Sequence, residues 1–226
     1  MLIQGFAAGG FETNCYLLAA GAGGPCVIVD PGQQAAPGVA DLVRRHRLEP
    51  VAVLVTHGHM DHTWDVVPVC AEYRIPVYVH ERDRPMLTDP WVGLPADFPR
   101  ELLAGYPGAE PADVQELAPG KTLGLGGLEI DVIEAQGHTF GSVMFAVGSA
   151  PADPGEHEHA PVLLTGDTLL ADALGRALPP IGDPDRLAAS AAAICRPLPD
   201  DTRLLPGHGP TGTIGAARRS IAALRV

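Results

Sequence analysis

Four apolar runs in this chain each end in a glycine or threonine followed by a histidine or aspartate, and this recurrence constrains the fold more than any single motif. The richest is Val51-Ala52-Val53-Leu54-Val55, a mostly β-branched run that reads as a buried strand and leads into Thr56-His57-Gly58-His59-Met60-Asp61-His62. Leu128 to Ala135 alternates like a strand and leads into Gln136-Gly137-His138-Thr139. Val162-Leu163-Leu164-Thr165-Gly166 delivers Asp167, and Arg203-Leu204-Leu205-Pro206-Gly207 delivers His208. A glycine before such a residue permits a sharp turn and close backbone approach. Strands that release polar residues at their ends are how an α/β scaffold presents chemistry at the carboxyl edge of its sheet.

Neutral imidazole and carboxylate are the ligands that zinc and its neighbours prefer. His57 and His59 are two residues apart, so on extended chain they point the same way and can share one metal. Asp61 and His62 fall where the pattern predicts a helix over Asp61–Tyr73, so they point elsewhere and can serve a second metal. One such motif cannot close a metal site alone. It requires ligands from distant sequence, and His138, Asp167 and His208 are the candidates.

On these residues the chain resembles the metallo-β-lactamase superfamily. The matching elements are His57-x-His59-x-Asp61-His62, Gly137-His138-Thr139, Gly166-Asp167-Thr168 and Pro206-Gly207-His208-Gly209, with Asn14-Cys15-Tyr16 and Val29-Asp30-Pro31-Gly32 in support. The resemblance implies a four-layer αββα sandwich, with two mixed β-sheets face to face and helices outside. It also implies two divalent metal ions, zinc first, with iron or manganese open in one position. Carried over residue by residue, His57, His59 and His138 hold the first metal, Asp61, His62 and His208 the second, and Asp167 bridges them. Asp61 and Asp167 are then the catalytic carboxylates. Thr56 and Asp30 become outer residues that orient ligands, although Asp30 reads equally well as a turn former before Pro31.

Within that superfamily the chain is most similar to small bacterial glyoxalase II-like hydrolases. Asp167 stands where one antibiotic-cleaving subclass carries a cysteine, and His59 where the flavodiiron oxidoreductases carry a glutamate. The implied reaction is hydrolysis of a 2-hydroxyacyl thioester by water activated between two metals. Zinc brings the pKa of bound water to about 7. A lactone or β-lactam hydrolase on the same site, a mononuclear-iron persulfide dioxygenase, and a non-catalytic metal-binding module are the rival readings. There are departures from the glyoxalase II pattern. Gln136 replaces a usual proline, the stretch Ala177–Ile181 carries no acid, and only about eighteen residues follow His208, where full-length members add a helical domain that helps bind glutathione.

The 226 residues suit one hydrolase domain over 1–226, and a hydrophobic content of 46% is enough for a sizeable core. Fifteen basic against 27 acidic residues give a net charge of −12, which speaks against nucleic acid as a partner, and the resemblance implies a small thioester or ester instead. No apolar run reaches the about 18 residues of a membrane span and no signal peptide is visible, so no membrane partner is expected and the cytoplasm is the expected compartment. The cysteines at 15, 26, 70 and 195 form no C-x-x-C pair; three sit in apolar surroundings and read as core thiols, while Cys195 is less clear.

Strands are expected at Leu2–Ala8, Asn14–Ala20, Cys26–Asp30, Pro76–His80, Leu123–Leu125 and Val143–Val147 besides the four above. Helices are expected at Ala35–Arg47, Pro184–Cys195 and Ile214–Leu224. Residues 88–119 are rich in proline and glycine and hold Trp91, Phe98 and Tyr106. They read first as a connecting excursion and second as a lid over the metals. Trp64 is expected either at the mouth of the site or packed. His157-x-His159 superficially repeats the metal motif, but no strand feeds it, and it reads as a solvated hairpin tip.

Overall fold

The computed structural model describes residues 1–148 and 161–224, so the His157/His159 pair lies outside the described residues. Strand β1 (Leu2–Ala8) pairs antiparallel with β2 (Thr13–Ala19), and β2 with β3 (Pro25–Val29). Helix α1 (Ala36–His46) then crosses to β4 (Glu49–Leu54), which lies parallel to β3. Short helices α2 (Met60–Thr63) and α3 (Val66–Tyr73) lead to β5 (Val77–Val79), parallel to β4. Strand β6 (Val114–Glu116) closes this first sheet, parallel to β5.

The second sheet begins with the antiparallel series β7 (Thr122–Leu125), β8 (Leu128–Glu134), β9 (Val143–Gly148) and β10 (Val162–Gly166). After helix α4 (Pro184–Cys195), β11 (Arg203–Pro206) lies parallel to β10, and β12 (Gly212–Thr213) pairs antiparallel at the edge. Helix α5 (Ile214–Ser220) follows. Each sheet has six strands, and each is mixed.

Alternation along the strands decides the layering. Successive residues of a strand face opposite sides of its sheet. Cys15, Leu17 and Ala19 of β2 join a cluster with Val39 of α1 and Val66, Val69 and Cys70 of α3. Their neighbours Tyr16 and Leu18 join a second cluster with Ile130, Val132, Phe145 and Leu164 of the other sheet. The far face of that sheet, through Met144, Leu163 and Leu204, packs on Ala191 and Cys195 of α4 and on Ile214 and Ala217 of α5. Helices, sheet, sheet and helices therefore stack as the expected four-layer αββα sandwich. The middle cluster carries large side chains at full burial, and Phe145→Ala there would cost about 3–5 kcal/mol.

Two expectations need correction. The helix expected over Asp61–Tyr73 is broken at Trp64 and Asp65. The break lets the Asp65 backbone N–H donate to the Pro31 carbonyl (2.9 Å) and its carboxylate accept from Ala36 N (2.8 Å) at the start of α1. The last helix ends at Ser220 and only a single 3-10 turn, Ala222–Leu224, continues it. Cys195 is fully buried like the other three cysteines, and all four are free thiols. No helix among the described residues is long and apolar enough to cross a membrane.

Candidate metal centre

Topology alone brings the polar strand ends together. Strands β8 and β10 are both antiparallel to β9, and β11 is parallel to β10, so β8, β10 and β11 run the same way. His138, Asp167 and His208 therefore leave the second sheet at one edge. The Asn14 backbone N–H and side-chain amide donate to the Gly207 and Pro206 carbonyls (2.7 and 3.0 Å), and the Tyr16 hydroxyl donates to Pro206 O (2.8 Å). These bonds clamp the His208 loop to the first sheet, whose β4 runs into the loop of His57 and His59 and then α2, which carries Asp61 and His62. The loop also needs small residues. Gly166 adopts φ +47°, and a Cβ on Gly207 would collide with the Asp167 carboxylate and the His62 ring.

All seven expected residues converge, in two groups. His59 Nδ1 lies 2.9 Å from His138 Nε2, which lies 3.1 Å from His57 Nε2. On the other side His208 Nε2 lies 3.1 Å from Asp61 Oδ2 and 3.4 Å from His62 Nε2. Asp167 stands between the groups. Its Oδ1 is 3.4 Å from His62 Nε2, and its Oδ2 is 3.8 Å from His138 Nε2 and 3.4 Å from His208 Nε2. Within each of the triads His57–His59–His138, His57–His62–Asp167 and Asp61–His62–His208, the donor atoms lie within 4.8 Å of one another.

The outward ring nitrogens explain what the inward ones can do. His138 Nδ1 donates to the Arg176 carbonyl (2.7 Å), and His59 Nε2 faces the Gly93 carbonyl (3.3 Å). His62 Nδ1 donates to Asp30 Oδ2 (2.9 Å). His57 Nδ1 donates to Thr56 Oγ1 (3.1 Å), whose own proton goes to Asp30 Oδ2 (2.6 Å). With protons fixed outside, the first trio turns three lone pairs toward one point. Three lone pairs about 3 Å apart repel unless a cation sits among them. Asp167 Oδ1 is buried and makes no hydrogen bond. The donor chemistry and this unsatisfied oxygen both fit divalent metal ions.

Protonation separates the two groups further. Burial pushes His57 and His59 down and takes His138 to about 4, so this trio is neutral. Burial also opposes charge on His62 and His208, but Asp61 and Asp167 overcome it, with Asp30 adding to the effect at His62. His62 rises well above the ordinary histidine range and His208 reaches about 9. Asp61 is raised by burial but lowered more by His62 and His208, ending near about 2, and Asp167 falls below the usual carboxylate range for the same reasons.

Asp30 fills both roles that the sequence left open. It holds a left-handed φ of +50° before Pro31, and its buried carboxylate fixes Thr56 and His62. Asp83 was not anticipated. Buried just beyond β5, it accepts from Gly58 N (2.8 Å), Thr139 Oγ1 (2.6 Å) and Gly141 N (2.8 Å), tying the His57–His59 loop to the His138 loop. An Asp in the charged run His80-Glu81-Arg82-Asp83-Arg84, which follows no glycine and ends no long apolar run, gives no sequence signal for this. Trp64 is buried and packs edge-on against Tyr106 at 5.3 Å. The Tyr106 hydroxyl lies against Thr63 Oγ1 and the Met86 and Leu87 carbonyls, so it is committed to the scaffold. The 88–119 segment carries secondary structure of its own. It forms 3-10 turns at Pro90–Val92 and Arg100–Leu103 and ends in strand β6, whose Val-Gln-Glu sequence lacks apolar alternation.

Residues 8–208 match the model of the metallo-beta-lactamase superfamily, and the chain belongs to that superfamily. It is 43% identical over 222 residues to an uncharacterized protein of Mycobacterium tuberculosis, covering 97% of this chain and 96% of that one. It is 29% identical over 211 residues to the hydroxyacylglutathione hydrolase GloC of Haemophilus influenzae, covering 93% and 92%. Among solved structures, the BLEG-1 B3 metallo-beta-lactamase superposes with TM-score 0.83 at 30% identity, covering all of both chains. TTHA1623, solved in a di-iron-bound form, superposes with TM-score 0.77 at 30% identity, covering 97% of this chain and 98% of that one.

Proposed function

We propose that this superfamily member is a binuclear metal-dependent thioesterase that hydrolyses a 2-hydroxyacyl thioester. The observation that carries the reading is the Asp167 carboxylate, with one oxygen toward His62 and the other toward both His138 and His208. A carboxylate so placed suits two ions that share it. His57, His59 and His138 would hold one, and Asp61, His62 and His208 the other. Such a pair supplies Lewis-acid polarisation of a carbonyl and water activation at neutral pH. A di-iron form of a protein 30% identical to this chain favours two ions over one. Zinc remains the first choice on donor chemistry, with iron or manganese accepted by the same ligands.

The chain's own residues prepare the site. Thr13 Oγ1 donates to Asp61 Oδ2 (3.2 Å) and fixes the carboxylate that would orient the attacking water. Asp61 stays ionised at any pH near neutral, with its pKa held near about 2. A thiolate leaves readily, with a thiol pKa of about 8.5, so no dedicated general acid is required. The name of the Haemophilus relative, a hydroxyacylglutathione hydrolase, supports this substrate class. Four free buried cysteines agree with a reducing cytoplasm as the working compartment.

A β-lactam hydrolase is the second reading, favoured by the 30% identity and full-length superposition on the B3 enzyme. The test is metal-quantified protein assayed with lactoylglutathione. Chelator-sensitive thiol release with about two metals per chain supports the proposal. Two metals with turnover of a β-lactam or lactone but no thioester would replace it. One iron per chain with consumption of a persulfide would move the assignment to a dioxygenase.

A further inference from the structure

A cavity of about 880 Å³ lies between the 3-10 turns of the 88–119 segment and the loop after Arg176. That volume falls within the about 300–1,000 Å³ of small-molecule pockets. Trp91, Leu94 and Pro95 form one wall, and Leu178, Pro179 and Pro180 the other. Gly93, between Trp91 and Leu94 of one wall, adjoins both the donor residue His59 and Ile181, which follows Pro180 of the other wall. A Cβ on Gly93 would lie 3.1 Å from His59 Cδ2 and 3.3 Å from Ile181 Cδ1, and the Gly93 carbonyl faces His59 Nε2. The other wall begins two residues after Arg176, whose carbonyl accepts from His138 Nδ1.

The lining is apolar, with one cation and one anion. Arg100 stacks its guanidinium over the Trp91 ring at 4.7 Å, and Asp97 lies in the same lining. An anionic thiol carrier, with several charges, finds no matching set of cations there. Three exposed large apolar side chains sit on the loops that carry these contacts: Val92 at 40%, Phe140 at 49% and Leu178 at 43%. Of these, Leu178 lines the cavity itself and Val92 directly follows Trp91 of its other wall.

Resting on the thioesterase reading, we propose that this cavity takes the acyl side of the substrate, and that the preferred acyl group carries an apolar tail of several carbons. Loop residues 91–95 and 178–180 thus set specificity, while the charged thiol carrier stays outside the cavity.

The test is a series of straight-chain 2-hydroxyacyl thioesters of one small neutral thiol, N-acetylcysteamine, from two to eight acyl carbons, beside lactoylglutathione, with metal content measured for every protein. We expect kcat/KM to rise about two- to fourfold per methylene, as burial of each group contributes. Leu178→Asp should reduce kcat/KM for the eight-carbon member by about tenfold more than for the two-carbon member, with metal content still near two. Leu178 is an exposed loop residue, so folding is not at stake, and Trp91→Ala provides an independent variant. A flat chain-length profile with thioester cleavage intact would overturn the inference alone. An unchanged profile in both variants would do the same. No turnover of the series or of lactoylglutathione would overturn the thioesterase reading and this inference with it, and turnover of lactoylglutathione alone would overturn this inference by itself.

Discussion

The two halves of the donor cluster differ in charge before any metal enters. His57, His59 and His138 are neutral, and their outward nitrogens donate to Thr56, Gly93 and Arg176. Asp61 and Asp167 draw the two imidazoles of the other half, His62 and His208, above their ordinary range. The first half resembles an open socket whose lone pairs already converge. The second is an ion-pair network that a metal must displace. Backbone carbonyls and a hydroxyl shape the first, whereas carboxylates shape the second. Asp167 is the residue through which the halves communicate.

The sharpest way to break this comparison is Asp167→Ala. If it bridges two ions as proposed, its loss should remove at least one metal and lower the proposed thioester hydrolysis by about a thousandfold or more. Metal analysis with turnover measures both, and normal turnover would end the bridging assignment. Next is Asp83→Ala, which touches no donor but releases Gly58, Thr139 and Gly141. Partners of this kind typically contribute about 10–100-fold in metal affinity. The loss should fall on the metal held by the all-histidine half. An equal loss at both metals would mean Asp83 supports the fold in general.

Protons give a subtler test. In the metal-free protein His208, at about 9, is protonated near neutral pH, and Asp61 and Asp167 draw His62 in the same direction. A ligand nitrogen must lose its proton to bind, so loading the second half should release at least the His208 proton, and up to two, while the first half releases none. Metal affinity at the second half should therefore fall by up to about a hundredfold per unit as pH drops below neutral. Titration calorimetry in buffers of different ionisation enthalpy reads the count. Equal release from both halves would erase the distinction. The smallest effect is expected from the His157→Ala/His159→Ala double variant, which should keep both metal content and turnover.

Much of this was legible in the sequence because each donor sits at the end of an apolar run, and period-2 alternation marks both strand and face. Strand β8 reads cleanly for that reason. Asp83 and β6 did not read, for the opposite reason. Asp83 acts through three bonds to segments far away in sequence, and Val114-Gln115-Glu116 pairs at a sheet edge where no buried face imposes a pattern. The break at Trp64–Asp65 was equally hidden, since it answers to Pro31 and Ala36 rather than to local propensity.

The most direct measurement is a crystal structure of metal-loaded protein with anomalous data at the edges of zinc, iron and manganese. The account predicts two peaks about 3.5–4 Å apart, one among His57, His59 and His138 and one among Asp61, His62 and His208, with Asp167 between them. A single peak with Asp167 bound to it alone, or a metal held outside these seven residues, would contradict it.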